Sequence, residues 1–216
     1  MKEDFDMKDF LDKLASDSPT PGGGSASAAS GAMGAALLSM VYSISRKKII
    51  NSLNKLKKNK SIKSKDLLRE QETQDILVEK FNKSADEAKR VMSKLLLLVD
   101  EDAKAYENVL REIRKLKKVK IDDKKVKRDI QEAYKNAAEV PFQIAKLCYK
   151  ILRYSKNLTD KINNVIKSDF QIAISLLKVG IEGAALNVEI NLNKIDDKNF
   201  VEEKRKELNK ILKYLD

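Results

Sequence analysis

The sequence predicts an all-α fold, a multi-helix bundle built around one central small-residue helix. Three observations lead there. Only seven Gly and three Pro occur in 216 residues, whereas all-β domains use these residues heavily in turns. Apolar residues recur at helical spacing along most of the chain, and no alternating strand pattern survives. Finally, Gly22 to Ser45 carries no charge and consists mainly of Ala, Gly and Ser. A helix with such small side chains admits close neighbours on all sides. A chain of this length buries roughly 70% of the surface its unfolded form exposes, so residues 1–216 read as a single domain.

In chain order, a first helix is predicted over Asp4 to Ala15, where Phe5, Phe10, Leu11 and Leu14 form an apolar stripe. The loop SDSPTPGGGS leads into the small-residue helix, about Gly24 to Ser45. Residues 46–65 are basic and Asn/Ser-rich, and their weak periodicity predicts a mobile or marginally helical excursion. Asp66 to about Leu116 reads as long helix, with Ser84 and Glu87 forming an internal capping box or a solvated stretch. A basic linker near 117–125 precedes a helix over Lys127 to Tyr154, which Pro141 should kink or restart by removing an amide donor. After the polar stretch LTDKINNVIKSDF, Ser168 and Gln171 fit a capping box that starts a helix at Asp169, running to about Ile195. A last amphipathic helix is predicted over Asp197 to Leu215.

Composition excludes several functions. The sequence has no histidine and one cysteine, Cys148. There is therefore no Ser-His-Asp triad, no Cys-His pair, no HExxH zinc site and no internal disulfide. A single cysteine suits a reducing, cytoplasmic setting. The N-terminus MKEDFDMKDFL is acidic and amphipathic, unlike a signal peptide. Gly22 to Ser45 is long enough to cross a membrane, but its six serines and few large aliphatics transfer poorly into lipid. A central bundle helix is the better reading, and no membrane partner is expected.

The net charge is +11, which favours an anionic partner. One basic cluster holds Arg46, Lys47, Lys48, Lys55, Lys57, Lys58, Lys60, Lys63 and Lys65. A second runs from Arg114 to Arg128. Solvated lysine-rich surface explains both equally well. Neither contains an aromatic residue for base stacking, which counts against nucleic acid. A non-catalytic basic helical protein binding nucleic acid or another polyanion remains the alternative from a different class.

Three features invite a chemical reading. Pro21, Gly22, Gly23, Gly24 and Ser25 stand at a helix N-terminus, where amides and the helix dipole can hold an anion; a tight turn before a crowded helix explains them too. Asn187 and Asn191 share a helix face and could read the polar edge of a heterocycle, or bond between helices. Asp102 sits one turn past the apolar run Leu95–Val99, where burial would raise its pKa and suit it to acid/base work. Asp169 begins a helix, a position the dipole favours.

SPTPGGGSASAASGAMGAALLSMV closely resembles the opening motif of the formimidoyltetrahydrofolate cyclodeaminase family, which includes stand-alone methenyltetrahydrofolate cyclohydrolases. The resemblance continues in order at LVDEDAKAYENVL, RDIQEAYKNAAEVPF, SDFQIAI and GAALNVEINLNKIDD. It implies a cytoplasmic all-helical homodimer acting on a tetrahydrofolate derivative, possibly polyglutamylated, near the subunit interface. It implies no metal and no cofactor beyond the folate substrate. Carried over by residue, it places the glycine loop at Pro21 to Ser25, a basic group at Lys47 and Lys48, the aspartate at Asp102, the Ser-Asp pair at Ser168 and Asp169, and the asparagines at Asn187 and Asn191. Asp102 and Asp169 become the catalytic candidates and the rest substrate-binding candidates. Of the family's Gly-Asn-x-Asn loop, Asn163 keeps the first Asn, while Ile162 and Val165 stand where the others are usual. The two reactions implied are cyclodeamination releasing ammonia and cyclohydrolysis to 10-formyltetrahydrofolate.

Overall fold

The computed structural model describes residues 6–58, 65–118 and 124–215. Among them are six α-helices: α1 (Met7–Leu14), α2 (Gly23–Lys58), α3 (Lys65–Lys118), α4 (Lys124–Lys156), α5 (Lys167–Leu192) and α6 (Lys198–Leu212). Two single 3-10 turns, Thr159–Lys161 and Asn164–Ile166, lie between α4 and α5. No strand occurs among the described residues. The all-α bundle predicted from the sequence is the fold observed.

α2 is the centre. It packs between α3 and α5, with α4 reaching its inner side. Its small residues set how close these neighbours come. Gly31 lies against the Cys148 Sγ and Leu95, leaving no room for a side chain. A Cβ on Gly180 would stand 3.1 Å from both Cys148 Sγ and the Ser27 carbonyl oxygen and 3.3 Å from Gly31 Cα. A Cβ on Gly34 would stand 2.9 Å from the Ala173 carbonyl oxygen. No described glycine has positive φ, so these glycines serve proximity, not a left-handed turn. The serines of α2 also find partners: Ser25 donates to Val99 O, Ser30 to Leu176 O and Ser39 to Ala85 O. A buried hydroxyl bonded this way avoids its desolvation cost and ties α2 to α3 and α5.

These contacts make α2 and α5 antiparallel. Gly23 meets Asn187, Ser30 meets Leu176, Gly34 meets Ala173, and Lys48 meets Asn163. Both α2 and the stretch Asn164–Leu192 are long and apolar enough to cross a membrane, but 67% of the α2 window is buried inside the bundle. The central-helix reading therefore holds for α2.

Several boundaries differ from expectation. Residues 46–58 continue α2 as helix. Leu53 is buried and Arg46 Nη1 donates to Asn82 Oδ1 of α3 at 2.5 Å, so tertiary contacts support a stretch of weak periodicity. Ser84 and Glu87 do not split α3. Ser84 is buried within it, and Glu87 forms a 2.6 Å ion pair with Lys150 of α4. Helix α5 begins at Lys167 without a side-chain cap, so the Ser168–Gln171 capping box is not formed and Ser168 is exposed. α4 runs through Pro141 without interruption. Asp4, Phe5, residues 59–64 and most of the predicted 117–125 linker lie outside the described residues.

The tightness of the α2–α5–α4 junction is testable. Gly180→Val should destabilise the protein by about 1–3 kcal/mol through overpacking. Urea unfolding at unchanged m-value is the measurement; a loss within a few tenths of a kcal/mol would show that the seam can open.

Candidate active site

At one end of the bundle, α2 starts against the side of α3. Gly24 has no side chain because the Asp102 carboxylate occupies that space; an added Cβ would overlap it. The Asp102 Oδ2 lies 3.1 Å from Ser25 Oγ, and the Ser25 amide also donates to the carboxylate. Asp102 thus acts as the cap of α2 from outside the helix. The anion that the glycine turn holds is the protein's own carboxylate.

Burial pushes the Asp102 pKa above the ordinary carboxylate value, outweighing the bonds from the Ser25 hydroxyl and amide, which lower it. Ser25 has one hydroxyl proton and two acceptors within reach, Val99 O at 2.9 Å and Asp102. When it donates to Val99, its oxygen is left to accept a proton from neutral Asp102. The arrangement accommodates Asp102 as an acid.

Asn187 faces the same turn, with its Nδ2 placed 3.3 Å from where a Gly23 Cβ would stand. Its Nδ2 donates to Gly183 O, while Asn191 Nδ2 donates to both Asn187 O and Ala137 O. The last bond has a specific cause. Ala137 lies four residues before Pro141, which has no amide hydrogen to give it. Asn191 supplies the missing donor, so the apolar packing of Pro141 and the polarity of Asn191 form one device. Asn191 uses both of its amide hydrogens internally and can offer a ligand only its oxygen, whereas Asn187 uses one and keeps a second N–H, beside the glycine turn, together with its oxygen. Thr20 Oγ1 anchors the preceding loop on Glu107 at 2.9 Å, and the Thr20–Pro21 peptide is cis.

The remaining sequence candidates lie at the opposite end. Lys48 Nζ donates to Asn163 Oδ1 at 2.8 Å, and that same oxygen caps the 3-10 turn at Val165. Lys47 is exposed and lines a cavity of about 310 Å³ with Met40, Ile44 and Arg46. Ser168 is exposed and Asp169 half-buried in the first turn of α5. Gly24 and Lys48 stand about 36 Å apart along α2, and Asp169 and Asn187 about 27 Å apart along α5, at the helical rise of 1.5 Å. Within one chain, Asp102 and Asp169 cannot touch the same bond.

The sequence reading passed over two phenols. Tyr106 is one turn beyond Asp102 on α3, and Tyr134 is one turn before Ala137 on α4. Burial first, then the nearby Tyr106, raise the Tyr134 pKa. Both lie inside the motifs AYENVL and EAYKNA, and the i, i+4 spacing from Asp102 was the available signal. Among the described residues, no group of acidic or sulfur ligands could hold a metal ion.

A sequence profile of the formiminotransferase-cyclodeaminase family matches residues 6–210. The chain belongs to this family. It is similar to a methenyltetrahydrofolate cyclohydrolase of Methylorubrum extorquens, 33% identical over 95% of this chain and 88% of that one. It is also similar to the formimidoyltransferase-cyclodeaminase of Sus scrofa, 29% identical over 95% of this chain but only 34% of that protein. The chain thus spans about a third of the animal enzyme. Among solved structures, a formiminotetrahydrofolate cyclodeaminase from Thermotoga maritima superposes with a TM-score of 0.67 at 26% identity, covering 97% of this chain and 89% of that one.

The Pro141–Asn191 device makes a prediction. Asn191→Leu should cost about 1–3 kcal/mol, because it leaves the Ala137 carbonyl without a donor. In a Pro141→Ala background residue 141 regains an amide hydrogen, and the cost should shrink to a small remainder. A double-mutant cycle by urea unfolding checks this. Equal costs in both backgrounds would show that the bond does not compensate for the proline.

Proposed function

We propose that this protein is a folate one-carbon enzyme that makes or resolves the carbon bridge between N5 and N10 of tetrahydrofolate. In cyclohydrolysis, water adds to the methenyl carbon, the C–N5 bond breaks, N5 keeps its electron pair, and one proton is released as 10-formyltetrahydrofolate forms. In cyclodeamination, N10 attacks the formimino carbon and the exocyclic C–N bond breaks as that nitrogen is protonated and leaves as ammonia. Both pass through a tetrahedral carbon and need a proton moved at a nitrogen. Membership of the family supports this reading, as does a full-length match to a cyclohydrolase of similar size. The observation that carries the assignment to residues is the half-buried, Ser25-bonded Asp102 at the α2 turn. Its raised pKa keeps a proton available at higher pH than an ordinary aspartate would.

The reading includes a homodimer with shared sites. An apolar stripe is open on α2, with Met33 43% and Met40 40% exposed, and another on α5 at Ile172, Val179, Leu186 and Ile190. Such a surface favours a partner. The α2 stripe centres near position 36, midway between Gly24 and Lys48. A two-fold axis there lays the Asp102 end of one protomer beside the Lys48 and Asp169 end of the other. The half-sites that lie apart in one chain would then form one cleft. The pterin would meet Asp102, Asn187 and the glycine turn, and the anionic glutamate tail would meet Lys47.

Two measurements test the proposal. Absorbance of methenyltetrahydrofolate, followed for consumption and for formation from the formimino substrate, separates the reactions. In the active direction Asp102→Asn should slow turnover by about 10²-fold or more, with the melting temperature nearly kept. For the parent, activity that depends on protonated Asp102 falls as pH rises through its raised pKa. Retention of turnover within a few-fold removes Asp102 from the chemistry. Mixing Asp102→Asn with Asp169→Asn subunits tests the shared site: an equal mixture, about half heterodimer after reassociation, should regain about a quarter of parent activity, since each heterodimer keeps one of its two clefts intact. No recovery from exchanged subunits would mean that each site lies within one chain.

A further inference from the structure

A separate cavity opens on another face of the bundle, its lining on α5 beginning at Phe170, the residue after Asp169. It has a volume of about 550 Å³ and sits among the C-terminal part of α4, the first half of α5 and the turn after α6. Its apolar walls are Leu152, Phe170, Ile174 and Tyr214, and Lys156 and Lys178 stand at its rim. Ile174 is about 20 Å along α5 from Asn187, and points about 140° round the helix from both Asn187 and Asp169. The cavity is therefore separate from the proposed folate cleft.

Its charge and shape indicate what it accepts. Lys178 Nζ donates to the Leu215 carbonyl at 3.2 Å, and Lys156 Nζ lies 5.5 Å from the centre of the Tyr214 ring. Both ammonium groups thus converge on the same turn. Among the described residues neither pairs with a carboxylate, and no acidic side chain lines the cavity. Tyr214 is fixed by an edge-on contact with Tyr149, 5.2 Å between centroids at 85°, and Phe170 is buried. The aromatic wall is preformed, which lowers the cost of binding a flat molecule. A cavity of this size suits a small ligand with an apolar body and few polar groups.

We propose that this cavity is a second ligand site, which takes a small planar aromatic carboxylate. The ring lies between Phe170, Ile174 and Tyr214, and the carboxylate meets Lys156 and Lys178. The p-aminobenzoylglutamate portion of a folate and a free aromatic acid share this chemistry.

The test uses the intact protein, labelled at isoleucine methyl groups, titrated with 2-naphthoate by NMR. Saturable shifts of the Ile174 methyl are expected. Lys156→Met and Lys178→Met should each weaken binding about tenfold, and the neutral 2-naphthamide should bind at least about tenfold more weakly than the acid. Ile174→Trp, followed by calorimetry because it removes the reporting methyl, should fill the cavity and abolish 2-naphthoate binding while leaving folate affinity within about twofold; Ser175→Phe, at the exposed rim, keeps the Ile174 methyl and serves if that variant does not fold. A parallel titration with p-aminobenzoylglutamate distinguishes the sources: comparable affinity admits a folate fragment, and selective binding of 2-naphthoate assigns the cavity to free aromatic acids. The proposal is overturned if 2-naphthoate gives no saturable shift, if the amide binds as well as the acid, or if binding survives both cavity-filling variants. None of these readouts depends on turnover or on Asp102.

Discussion

Close approach of α2 to α5 is the constraint from which the rest of the geometry follows. Two helices with ordinary side chains pack with axes 8–10 Å apart or more. Here Gly31, Gly34, Gly180 and Gly183 remove the side chains that would hold the backbones apart. The gain in contact is accompanied by a polar requirement, because close backbones bury hydroxyls and carbonyls together. Ser30 and Ser39 meet it by donating across the interfaces to carbonyl groups. Once the Ser30 bond exists, sliding α5 by one residue would break it and drive Cβ atoms into the Ala173 and Ser27 carbonyl oxygens. The register is fixed, and with it the meeting of Gly23 with Asn187 and of Lys48 with Asn163.

Asp102 depends on an equally close approach, that of α3 to the start of α2. Two effects act on its carboxyl in opposite directions. The start of α2 and the Ser25 donors favour the anion, while burial favours the neutral acid, and burial prevails. The balance exists only because Gly24 lets the carboxyl lie directly on the helix start. A side chain there would expel it into water and return it to ordinary aspartate behaviour. The same glycine that reads as a ligand loop in the sequence therefore tunes a protein group.

The bundle also leaves something unfinished. α2 and α5 bury their inner faces well yet keep large apolar residues, Met33, Met40, Val179 and Leu186, open on the outer ones. Their exposure is the surface on which the proposed two-fold pairing rests. In the proposed dimer the two half-sites would share the symmetry of the stripe, and oligomer and chemistry would meet at one surface.

The sequence by itself determined the helices, the central position of α2 and the family. These rest on local periodicity and on long motifs, each legible over neighbouring residues. It also singled out Asp102 as a carboxyl whose pKa burial would raise, because an acidic residue beside Leu95–Val99 is conspicuous without any fold. It misjudged Ser168 and residues 46–58, where tertiary contacts overrode a capping pattern and a weak propensity. It could not show that Asn191 answers Pro141, since a missing amide hydrogen on α4 and a donor on α5 are 50 residues apart and only packing brings them together. Nor could it show that its site candidates divide between two ends of one bundle. A one-dimensional pattern records residue types and spacing, whereas distance between them is set by helix length and by which faces can approach, and only the tertiary structure decides that.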